Sequence, residues 1–146
     1  MLSAHDVARY FLALTDQDES ESISHLKLQK LCYYAQGFHL ALYGDALFPE
    51  EIEAWQHGPV VPKLWYVYQN YGSGQIPKPD DLDFEIYDSD QRELLNEVYE
   101  IYGQFSAWKL RNMTHDEPPW AEAWAKGPNT PISHESMKEY FNTLCI

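Results

Sequence analysis

One stretch limits what this chain can fold into more than any other: Leu28-Gln29-Lys30-Leu31-Cys32-Tyr33-Tyr34-Ala35-Gln36-Gly37-Phe38-His39-Leu40-Ala41-Leu42. Leu28, Leu31, Cys32, Ala35, Phe38, His39 and Leu42 recur at steps of three and four, the spacing of one helix face. Tyr33, Tyr34, Leu40 and Ala41 carry the apolar surface onto the flanks. A helix apolar over most of its circumference must have other elements packed around it. Both ends are marked. Ser24 can accept from the free N–H groups of a first turn, and Ile23 is placed to staple against Leu28. Gly44 can adopt the left-handed turn that stops a helix. These signals predict a central helix over residues 24–43.

The remaining segments read as shorter pieces arranged around it. Ser3 and Asp6 have capping-box spacing and open a helix over 3–14, with Val7, Tyr10, Phe11 and Leu14 on one stripe. Residues 16–22 form an acidic polar connection. Residues 50–55 read as extended, and Gly58-Pro59 as sharp punctuation. Pro62 suits a first helical turn, and Leu64, Trp65, Tyr68 and Tyr71 carry that helix to Gly72. The alternation in residues 83–87 predicts a short strand, able to form a hairpin with 50–55. Asp90-Gln91-Arg92-Glu93 reads as a second capping box, opening a helix over 91–105. Ser106 caps another over 107–114. Pro119 opens a short one carrying Trp120, Ala123 and Trp124, and Ile132-Ser133 starts the last. The expected fold is mainly α. It is a single compact multi-helix domain, residues 1–146, around the central helix, with room for one small β-hairpin.

Charge and cysteines narrow the function classes. The chain has 23 acidic residues against 10 Lys and Arg, a net charge of −13. Such a surface repels a phosphate backbone at long range, which argues against nucleic-acid binding and favours a basic protein partner. Cys32 and Cys145 are the two cysteines, too few for a disulfide framework, and Cys32 reads as a small buried apolar residue. The amino terminus lacks a basic region followed by an apolar run. No segment approaches the ~20 apolar residues of a membrane span. A reduced, cytoplasmic protein is the expectation, with no membrane association.

Three readings compete for the polar residues. His57, His115, Asp116 and Glu117 have the residue types of a metal-dependent enzyme, but no two histidines have metal-ligand spacing and no Cys-x-x-Cys is present. A histidine on an apolar face, such as His39, is more commonly a hydrogen-bonded core group. Cys32 lies mid-helix on an apolar stripe, where burial raises a thiol pKa and hides it, the reverse of what a nucleophile needs. The third reading is a binding surface, built from tryptophans and tyrosines beside the Gly58-Pro59 and Pro118-Pro119 turns. Trp55, His57, Tyr66 and Trp120 are its candidate contact residues. On this reading there is no catalytic residue, no metal and no cofactor.

Three ordered blocks then carry a resemblance: the stretch from Leu28 to Ala41, followed by Leu47-Phe48; Glu53-Ala54-Trp55-Gln56-His57-Gly58-Pro59-Val60-Val61-Pro62; and Thr114-His115-Asp116-Glu117-Pro118-Pro119-Trp120. Together they resemble the Panacea domain family of SocA-like and GepA-like, phage-associated proteins, over about residues 3–144. The resemblance implies an antitoxin of a toxin–antitoxin system that neutralises a cognate toxin encoded nearby, by direct contact. SocA-like members instead deliver the toxin to a ClpXP-type protease. Many relatives carry an added DNA-binding domain, for which 146 residues leave no room. A phage-encoded host-interaction protein without a toxin is a further alternative, and a metal-dependent enzyme is the alternative from another class.

Overall fold

The computed structural model describes residues 1–15, 23–72 and 74–145. The acidic connection expected at 16–22 lies outside them. Among the described residues the order is α1 (Ala4–Leu14), α2 (His25–Tyr43), β1 (Glu53–Trp55), β2 (Gly58–Val60), α3 (Pro62–Tyr68), α4 (Ser89–Tyr102), α5 (Ala107–His115), α6 (Pro118–Lys126), β3 (Thr130–Pro131) and α7 (His134–Asn142). Short 3-10 turns occupy Gln69–Tyr71 and Phe84–Ile86. The fold is mainly α with one small sheet.

α2 is the axis, and α1, α3, α4, α5, α7 and β2 all pack on it. Ser24 caps it by accepting from Lys27 N, and Gly44 ends it with φ 81°. Every residue from Lys27 to Gly37 is buried. Burial therefore varies along the helix rather than around it. From Lys27 to Gly37 the helix is enclosed on all sides, Phe38 and His39 are half covered, and Leu42, assigned to the buried stripe, is 52% exposed. Gly37 permits the closest approach in the core: a Cβ there would lie 2.1 Å from the Phe141 ring of α7.

The short helices follow their sequence signals. Ser3 and Asp6 form the full capping box of α1. Ser106 and Ser133 cap α5 and α7, and Pro62 and Pro118 sit in the first turns of α3 and α6. Two expectations are corrected. The box of α4 is Asp88 with Gln91, not the one starting at Asp90. Tyr87 fixes that choice: it is buried and its hydroxyl donates to Asp6 O at 2.6 Å, so the chain enters the helix from there. Residues 83–87 are not a strand. The Asp83 carboxylate accepts from Glu85 N at 3.0 Å, which tightens the backbone into a 3-10 turn and leaves Phe84 and Ile86 largely exposed.

The hairpin partner of β1 is instead β2, directly after it. The pairing is antiparallel, with Glu53 opposite Val60, Ala54 opposite Pro59 and Trp55 opposite Gly58. Gln56-His57 is thus a two-residue turn. β3 pairs on the other side of β1, giving the order β2-β1-β3. Pro59 is tolerated because β2 is an edge strand and needs no further donor there.

Candidate functional site

The site is built from the inside outward, beginning with the polar residues that interrupt the apolar surface of α2. Buried polar groups must find partners, and these find main chain. Gln29 Oε1 accepts from Val61 N at 2.8 Å, and its amide nitrogen lies 2.9 Å from His25 Nε2. Lys30 Nζ donates to Pro59 O at 3.1 Å. Gln36 accepts from Leu47 N at 2.7 Å and donates to Phe48 O at 2.8 Å. Three side chains of one helix therefore clamp the chain on both sides of the hairpin.

Gly58 is where the hairpin touches the helix. Its φ is 109°, in the region that favours glycine, and a Cβ would lie 2.5 Å from Lys30 Cε and 2.8 Å from Thr114 Oγ1. Lys30 is completely buried, and burial, with Arg111 nearby, pushes its ammonium down to about 7. His25 is pushed down to about 4, by burial and then by Lys30. One residue group further along, Glu117 turns inward to accept from the hydroxyls of Tyr33 (2.9 Å) and Tyr34 (2.8 Å). Burial raises its carboxyl to about 7, against the tyrosine hydrogen bonds, which favour the charged form. The three sequence blocks thus converge on one buried polar frame.

An aromatic face lies over that frame. Trp120 is only 7% exposed; its indole N–H donates to Trp55 O at 2.8 Å, and it stacks on His115 at 3.9 Å and on Trp124 at 5.4 Å. It holds the hairpin from below. Trp55 is half covered and packs on Trp65 at 5.7 Å, with Tyr66, 68% exposed, edge-on to Trp65. His57 is exposed at the turn and lies 5.9 Å from Trp108 of α5, itself 54% exposed. Arg111 lies over the Trp108 ring at 4.7 Å. Beside the turn, Leu26, Trp55, Val60 and Trp65 line a pocket of about 370 Å³ that His57 also borders.

Of the candidate contacts, Trp55 and His57 share this face, Tyr66 sits at its edge and Trp120 supports it. The metal-enzyme alternative finds no ligand set. His57 is exposed, His115 is stacked, and Glu117 faces tyrosines. Among the described residues no three His, Cys, Asp or Glu side chains are grouped to hold an ion. Cys32 is fully buried, which pushes its thiol far up, the reverse of what a nucleophile needs. His39 is hydrogen-bonded, through Nδ1 to Asp45 O at 2.7 Å, but it is half covered near the end of α2 and not the core group expected. No helix among the described residues is long and apolar enough to cross a membrane. Trp108 and Arg111 were missed from sequence; their spacing of three places them on one helix face, the signal that could have found them.

The small helical domain thus carries an exposed aromatic face over a buried polar frame. The family model described as "Antitoxin SocA-like, Panacea domain" matches residues 28–121, and the chain belongs to that family. A relative, "Antitoxin SocA" of Caulobacter vibrioides (strain NA1000 / CB15N), is 34% identical over 119 residues, covering 74% of this chain and 63% of its own length. The chain thus spans less than two thirds of that relative. No solved structure matches.

Proposed function

We propose that this protein is an antitoxin that neutralises a cognate toxin by direct protein–protein contact, with Trp55, His57 and Tyr66 on the contact surface and Trp120 holding it in place. The observation that carries the reading is the exposed aromatic face fixed on a buried frame, in a chain of an antitoxin family. Half-exposed Trp and Tyr rings on rigid elements are the usual anchors of protein interfaces, because little conformational freedom is lost on binding. The net charge of −13 would steer a basic toxin toward the molecule. The reading is non-enzymatic and places the protein in the cytoplasm with its toxin.

Growth rescue tests it. The adjacent gene is expressed alone, then with this protein, in strains with and without a ClpXP-type protease. Rescue in both strains supports neutralisation by binding. Rescue only with the protease present makes the protein a delivery adaptor instead. A neighbour that is harmless alone counts against the antitoxin reading.

A further inference from the structure

We propose that the part of this face formed by the hairpin turn and α5 docks an acidic side chain of a protein partner, next to an apolar anchor residue seated in the Trp55–Trp65 pocket. The proposal rests on the reading of this face as the one that meets a partner.

The first observation is local charge. In a chain of net charge −13, Arg111, His57 and His115 gather at the turn with Lys30 beneath them. The ionisable neighbours acting on His115 are Arg111, Lys30 and His57, none of them a carboxylate, and Arg111 is the charged neighbour acting on Lys30. No ion pair among the described residues involves any of the four. The second observation is unused donor capacity. The Arg111 guanidinium lies against Trp108, an arrangement that fixes its plane. Its acceptor among the described residues is Asn112 Oδ1, at 3.0 Å. Arg111 Nε and His115 Nε2 are buried, out of a partner's reach, whereas Arg111 Nη2 makes no hydrogen bond among the described residues and is the donor open to a partner. A carboxylate on the guanidinium would pair with the Arg111 charge. The third is position: His57 borders both the apolar pocket and the Trp108–Arg111 pair, so one short segment can engage both.

This local preference does not conflict with long-range attraction of a basic partner. Net charge acts over the Debye length of roughly 8 Å, whereas the face selects at contact. The fitting partner is basic overall but presents an acidic, apolar segment to this face.

A random-peptide display selection on the immobilised full chain tests this. The expected result is enrichment of peptides in which Asp or Glu lies beside a large apolar residue. Arg111→Gln should weaken a selected peptide about tenfold with an unchanged melting curve. Lys138→Glu, at an exposed cation on α7, should change it less than about twofold. Enrichment of basic or uncharged peptides, no enrichment at all, or equal weakening by both variants would overturn the proposal. So would retention of a single-stranded oligonucleotide that Arg111→Gln abolishes. The rescue experiment judges the antitoxin reading separately, since its outcome does not depend on which peptides are selected.

Discussion

The buried frame and the exposed face are made from the same short stretches of chain, yet they do opposite things. In the turn, His57 points out while Gly58 and Pro59 face Lys30. Along residues 114–120, Thr114, Glu117 and Trp120 are buried and Asp116 is exposed. The frame is fixed by hydrogen bonds and a close backbone approach, and it tolerates almost no change of shape. The face is held only from below. A motif can therefore look functional while most of its residues are scaffold, with only the positions between them left exposed.

Substitutions that separate these roles test the comparison. The largest effect is expected at Gly58→Ala, which adds a Cβ at positive φ into Lys30 and Thr114 and should cost about 3 kcal/mol or more in urea unfolding. Gly37→Ala should cost about 2 kcal/mol, and Gly37→Ala with Phe141→Leu should recover part of it, because the clash is with the ring. If Gly37→Ala left stability unchanged, the tight α2–α7 contact would lose its claimed importance.

Next come the two buried charges, whose signs are opposite. The Glu117 carboxyl is raised from 4.5 to about 7 on folding. The folded state then holds the proton more tightly, so this contribution is fully present below pH 4.5 and is lost as pH rises through 7, about 3 kcal/mol in all. Glu117→Gln should abolish that fall in stability between pH 4.5 and 7. The Lys30 ammonium is lowered from 10.5 to about 7. Its contribution is present above pH 10.5 and is lost as pH falls through 7, so wild-type stability should gain from this group between pH 7 and 10.5. Lys30→Met should remove that rise. Denaturant midpoints across the pH range measure both.

The smallest stability effect is expected on the face. Trp108→Ala should shift unfolding by no more than about 1 kcal/mol, while weakening neutralisation in the growth assay. Loss of fold with this variant would erase the distinction between frame and face.

Much of the frame's outline was legible in the sequence, and its chemistry was not. Caps at Ser3, Ser24, Ser106 and Ser133 and the stop at Gly44 are local signals, decided within a turn of chain, and all of them hold. Gln29, Lys30 and Gln36 carry no local sign of what they bind. Their partners, at positions 47, 48, 59 and 61, become visible only once the chain has folded back. The hairpin was placed with the wrong partner because Gly58-Pro59 reads as a break, although an edge strand accepts Pro59 and the contact with Lys30 demands Gly58. Of the face, Trp55, His57 and Tyr66 were named from their nearness to the turns. Trp108 and Arg111 were not: their spacing of three marks one helix face, but only the fold brings that face beside the hairpin turn.

The clamps of α2 have one more consequence. Gln29, Lys30 and Gln36 grip carbonyl and amide groups, which every residue supplies, and not the side chains of the segments they hold. The helix is thus indifferent to which side chains those segments display outward, provided their path is kept. Such an attachment lets a lineage rewrite its outer residues one at a time and meet new binding targets, while the socket that holds them stays the same.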